Sequence, residues 1–160
     1  VQGYRLGDPR SGWADVLLVA EAVSLAMLVN TAVKYAVGTA RPYVWMGQPD
    51  LYGDPYDQNV SFFSGHATFA FATAVSAGTL FLMQGLPGAP VVLGVGLGVG
   101  ALNSYLRMAA EQHYLTDVLA GAALGSLVGW AVPWLFHRPR QGPAQPGAVM
   151  PVPGGLAVAW

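Results

Sequence analysis

Residues 58–106, QNVSFFSGHATFAFATAVSAGTLFLMQGLPGAPVVLGVGLGVGALNSYL, contain no Asp, Glu, Lys or Arg, and residues 118–137, VLAGAALGSLVGWAVPWLFH, contain none either. These are membrane lengths, because a spanning helix needs about 20 largely apolar residues. The composition of the 160-residue chain agrees: it is 54 % hydrophobic and 9 % charged, against roughly 25 % charged in soluble domains. The length suits one domain. The rival reading is a soluble helical bundle with an unusually greasy core, which solubility without detergent would reveal.

Caps and breakers divide the chain into four apolar helices, so the fold class expected is an all-α, membrane-spanning bundle with its site at one end. The first helix is expected over residues 15–38, ending at Gly38 ahead of Arg41-Pro42. Ser64, a good N-cap residue, opens the second, which runs to about Gln84 before Gly-Leu-Pro-Gly. Pro90 suits the first turn of the third, which reaches Arg107 or a little beyond, and the fourth spans residues 116–136. The alternating Gly94, Gly96, Gly98 and Gly100 read as small-xxx-small pairs for close helix packing, and Gly121, Gly125 and Gly129 repeat the device. A nucleotide-binding glycine loop would need a preceding strand and a helix start instead.

Other features bound the function. A net charge of −1 gives no basic surface for nucleic acid. The absence of cysteine excludes disulfides, thiol catalysis and thiolate metal sites. The polar, glycine-containing opening (residues 1–14) does not read as a signal peptide, and with Val1 rather than Met at its head the sequence is expected to continue upstream. Residues 43–61 form a polar loop with Asp50, Asp54 and Asp57, whose Tyr43, Trp45, Tyr52 and Tyr56 suit a membrane interface. The domain reading is a polar segment over 1–14, a catalytic bundle over 15–137 and a Pro/Gly-rich tail over 138–160, with a hairpin around Pro153-Gly154-Gly155.

Lys34, Arg41 and Arg107 stand at the ends of apolar helices, where a charge is costly unless it faces a partner or water. Snorkelling to the headgroups would explain any one of them. Counting crossings, however, brings all three to one mouth of the bundle with His66, His113 and Asp117. Three cations and the free N–H groups of a helix start suit a multiply charged tetrahedral anion, most simply phosphate. Gly65 lets the backbone approach an oxygen, and Ser64 can donate a hydroxyl proton. His113 and Asp117, four apart, match a nucleophilic imidazole oriented by a carboxylate, leaving His66 to protonate the departing oxygen.

These residues resemble the type 2 phosphatidic acid phosphatase superfamily, which also holds bacterial acid phosphatases and vanadium haloperoxidases. The motif K-x6-R-P is met by Lys34, Arg41 and Pro42, S-G-H by Ser64, Gly65 and His66, and R-x5-H-x3-D by Arg107, His113 and Asp117. The resemblance implies that His113 takes the phosphoryl group, Asp117 orients it, and His66 is the general acid. It further implies that Lys34, Arg41, Arg107, Ser64 and the Gly65 amide hold the oxygens, with no metal and no cofactor. Many members carry Pro where this chain has Phe63, and Ser where it has Leu106. Neither change removes a catalytic group, but Leu106 removes a hydrogen-bonding hydroxyl expected in the site. Membrane members usually have more than one helix before the first motif, so the chain is expected to be a fragment or a compact variant.

The expected activity is hydrolysis of a lipid phosphate or pyrophosphate through a phosphohistidine, with membrane lipids as the other partners. The alternatives are a vanadium haloperoxidase, a two-histidine, one-carboxylate metal site at His66, His113 and Asp117, and a non-catalytic protein that binds lipid headgroups. Three flanking cations oppose the metal reading, since they repel a metal ion. Arg5, Arg10, Arg138 and Arg140 flank the bundle on the face opposite the site, and cytoplasmic flanks collect Lys and Arg, so the site is expected to open away from the cytoplasm.

Overall fold

A computed structural model describes residues 9–52, 54–136, 149–152 and 155–158. Arg5, Arg138, Arg140 and the Pro153-Gly154 turn lie outside them. The expected four long helices are present. Helix α1 spans Pro9–Val37, starting earlier than expected because Pro9 already suits a first turn. It stops at Gly38, whose φ of 63° is open to glycine and whose N–H closes on Lys34 O at 3.0 Å.

The segment expected as a polar loop is more ordered than its composition suggests. A short helix α2, Pro42–Trp45, is followed by single 3₁₀ turns at Pro49–Leu51 and Pro55–Asp57, each opened by proline. Its aromatic residues divide. Trp45 and Tyr56 are exposed, as an interface role requires, whereas Tyr43 is buried and meets Tyr52 edge-on at 5.0 Å.

Helix α3, Gly65–Met83, begins at Ser64, whose Oγ accepts from Ala67 N. Helix α4 spans Ala89–Ala109 and α5 spans Leu115–Phe136. Strands β1, Val149–Val152, and β2, Gly155–Val158, pair antiparallel as the hairpin expected there. They add a small appendage to an all-α bundle.

Helix α3 is the axis, with α1, α4 and α5 packed around it. A Cβ at Gly121, Gly125 or Gly129 would run into the carbonyl oxygens of Ser64, Thr68 and Ala72 respectively, so α5 lies almost backbone to backbone on α3. The α4 glycines do only half of what was expected. Gly96 and Gly100 face Ala74 and Phe71 of α3, while Gly94 and Gly98 meet nothing within 4 Å.

The core is accordingly built from small side chains such as Ala22, Ala26, Ala67 and Ala72, and large ones such as Leu28, Leu102 and Leu127 point outward. That inversion suits a bilayer, where lipid solvates leucine and helices associate through close packing. Four stretches, Gly12–Trp45, Gly65–Met83, Ala89–Ala109 and Leu115–Phe136, are long and apolar enough to cross a membrane. The chain is a multi-pass membrane protein.

Candidate active site

At one end of the bundle a cavity of about 470 Å³ is lined by Lys34, Arg41, Gly65, His66, Arg107 and His113, together with Asn30 and Asp57. Helices α1, α3 and α4 and the turn before α5 each supply part of it. Lys34 comes from the last turn of α1 and His66 from the first turn of α3. Arg107 comes from the last turn of α4, and His113 from the turn that feeds α5. Arg41 immediately precedes α2.

His113 is 3 % exposed and presents its two nitrogens to different neighbours. Nδ1 stands 3.5 Å from Asp117 Oδ2, and Nε2 stands 3.4 Å from Arg41 Nη1. The Asp117 contact is longer than a hydrogen bond, as catalytic contacts in ligand-free sites often are. Asp117 itself is 1 % exposed and does not float. Its Oδ2 accepts from Ser61 Oγ at 2.5 Å and from Tyr114 N at 3.0 Å, while its carbonyl accepts from Ser64 N at 2.9 Å. One residue thus ties the histidine turn to the start of α3.

Burial lowers the His113 pKa below its ordinary value, because a charged ring loses hydration there; Arg41 and Lys34 push the same way. The Asp117 contact opposes them. These effects favour the neutral ring, whose Nε2 faces the Arg41 guanidinium.

Arg41 is the most constrained cation. Nε donates to Asp57 O at 2.7 Å, Nη2 to Asp57 Oδ1 at 2.6 Å and Nη1 to Gln112 O at 2.9 Å. Lys34 Nζ donates to Val60 O at 2.8 Å. Arg107 differs, since its Nε is buried with no hydrogen-bond partner among the described residues. A buried guanidinium donor left unpaired beside two further cations fits an anion that completes the site.

The structure brings seven of the eight expected residues to the cavity wall or directly behind His113, and sets the eighth apart. Ser64 is fully buried, spends its Oγ as the cap of α3, and is not part of the wall. Leu106, where the substitution was expected to thin the site's hydrogen bonding, is more than half exposed and is not part of the cavity lining. His66 sits at the open mouth, with Asn103 Nδ2 on its carbonyl oxygen at 3.4 Å.

Three polar residues were not foreseen. Ser61 holds Asp117, Asp57 holds Arg41, and buried Asn30 donates to Phe63 O at 2.9 Å and to Thr68 Oγ1 at 3.2 Å, bracing α1 against the start of α3. Asn30 alone carried a signal, as an amide in an apolar helix one turn before Lys34.

A profile of the PAP2 superfamily matches residues 15–141. The chain belongs to the PAP2 superfamily. The matched stretch contains every residue that lines the cationic cavity. The lipid A 1-phosphatase of Porphyromonas gingivalis is 32 % identical over 145 residues, covering 87 % of this chain and 29 % of that protein. The chain therefore spans under a third of the length of that relative. No solved structure matches the chain.

Proposed function

We propose that the chain is a metal-independent phosphatase acting on a lipid phosphate or pyrophosphate through a phosphohistidine on His113. The observation that carries this reading is the two-sided placement of His113, with Nδ1 toward a buried, anchored carboxylate and Nε2 toward Arg41 at the wall of a cationic cavity. Membership of the PAP2 superfamily and the likeness to a lipid A 1-phosphatase support it, as do four helices long and apolar enough to cross a membrane.

Phosphoryl transfer asks mainly for positioning and charge stabilisation. Nε2 of neutral His113 attacks phosphorus in line, the bond to the leaving oxygen breaks, and His66 supplies the proton that oxygen needs. Positive charge on the ring is stabilised by Asp117. Lys34, Arg41, Arg107 and the Gly65 amide balance the non-bridging oxygens, and in a low-dielectric site such contacts are worth more than in water. Water then attacks the phosphohistidine, with His66 as the base, and phosphate leaves. Ser64 acts behind the wall, by capping α3.

Residues 15–137 would form the catalytic bundle and 138–160 a tail without chemistry. By the parity of crossings, the basic residues at 5, 10, 138 and 140 would fall on the opposite side, so the mouth would open away from the cytoplasm. The test is phosphate release from a panel of lipid phosphates and pyrophosphates, with a soluble monoester as control and excess chelator present. His113→Ala is expected to abolish turnover, and Asp117→Asn to cut the rate by about 10⁴ while leaving substrate binding. Substantial turnover by His113→Ala, or loss of activity in chelator restored by a divalent ion, would reject the mechanism.

A further inference from the structure

Phe69 belongs to two cavities. On one side it borders the cationic site, and on the other it opens a second cavity of about 510 Å³ between α1 and α3. Val19 and Val23 of α1 and Ala77 and Leu80 of α3 line this groove, which is almost wholly apolar. At ~1.5 Å per residue its α3 wall descends roughly 16 Å from Phe69 to Leu80. That is about half of a ~30 Å hydrocarbon core, the depth of one leaflet.

At the far end the lining includes Asp15, whose Oδ1 accepts from Gln84 Nε2 at 2.8 Å. A volume of 510 Å³ over roughly 16 Å gives a mean cross-section of roughly 30 Å². A chain of methylenes, about 4 Å across, fits.

We propose that this groove receives one linear hydrocarbon tail of the lipid whose phosphate occupies the cationic site. The inference rests on the lipid phosphatase reading above. Phe69 marks where headgroup chemistry gives way to tail packing, and the Asp15–Gln84 pair marks the groove's far end. A tail gains little from burial when it leaves one apolar medium for another. The groove therefore acts through orientation, holding the phosphorus in line with His113 Nε2 rather than raising affinity.

The test replaces small wall residues with a bulky one. Ala77→Trp and, on the more exposed α1 wall, Ala20→Trp are each expected to lower kcat/KM for a long-chain lipid phosphate at least tenfold. Hydrolysis of a soluble monoester by the same variants should stay within twofold. Unchanged turnover of the lipid by both would overturn the inference. If a variant loses both activities, its fold is disturbed, and photolabelling of the unaltered chain decides. A lipid phosphate with a diazirine near its tail end should label residues 15–20 and 77–81, and labelling only of other helices would overturn the groove. Should the unaltered chain hydrolyse neither substrate, the phosphatase reading fails, while the labelling pattern still reports where the tail lies.

Discussion

Replacing Asp57 by alanine removes one contact in the site and leaves its neighbours. Arg41 keeps the carbonyls of residue 57 and Gln112 on Nε and Nη1, at 2.7 and 2.9 Å, and loses the carboxylate on Nη2 at 2.6 Å. A hydrogen bond between charged groups contributes about 1.5–3 kcal/mol when buried. Exposed ion pairs give about 0–1 kcal/mol. With the Arg41 side chain 4 % exposed and that of Asp57 42 % exposed, the pair lies between these limits. About 1–2 kcal/mol follows.

Carried into the transition state, that is a loss of roughly 5- to 30-fold in kcat/KM. A competing effect has the opposite sign, because the carboxylate also contends with phosphate for Nη2. Positioning is expected to win, since Arg41 Nη1 stands 3.4 Å from His113 Nε2 and a swinging guanidinium shifts charge at the reacting nitrogen. Asp57→Glu should recover part of the loss, and Asp57→Asn should fall between. The assay is phosphate release from a lipid phosphate across substrate concentrations, with thermal unfolding in detergent as the check on folding. Unchanged or improved kcat/KM for Asp57→Ala would refute the reasoning and make Asp57 a competitor of the substrate.

The pH profile should follow His113. Burial lowers its pKa and the neutral ring is the reactive form, so activity should persist as pH falls through about 6.5, the ordinary histidine value, and fail only below it; an acid limb of kcat/KM at or above that value would count against His113 as nucleophile. Gly125→Ala places a methyl group against Thr68 O, and overpacking of about 1–3 kcal/mol should lower the unfolding temperature in detergent, whereas Gly94→Ala, with nothing within 4 Å, should not. Equal midpoints for the two variants would contradict the α3–α5 packing. Because the chain has no native cysteine, Asp54→Cys and Gln141→Cys each carry a unique thiol. In intact cells an impermeant thiol reagent should label the first and spare the second, and the reverse pattern would overturn the proposed orientation.

The helices and the shared mouth were legible along the chain because both depend on local facts. Charge-free runs of membrane length set the spans, Ser64, Pro90 and Gly38 set ends, and the parity of crossings puts Lys34, His66, Arg107 and Asp117 at one end whatever the packing. The glycines at 121, 125 and 129 announced a close helix contact, but α3 as its partner emerged only in the folded chain. Gly94 and Gly98 carry the same spacing and pack on nothing described, since spacing states a capacity and the neighbour's position decides its use. Ser61 and Asp57 gave no signal of a role in the site, and Tyr43 read as an interface aromatic. Serine, aspartate and tyrosine are ordinary in a polar loop, and they acquire roles only because backbone bonds from Arg41 to Gln58, Ser61 to Thr39 and Tyr43 to Glu111 fold that loop back over the site. Ser64 could have faced phosphate or capped a helix by its sequence alone, and only the fold shows that it lies fully buried, its Oγ accepting from Ala67 N to cap the unpaired amides at the start of α3.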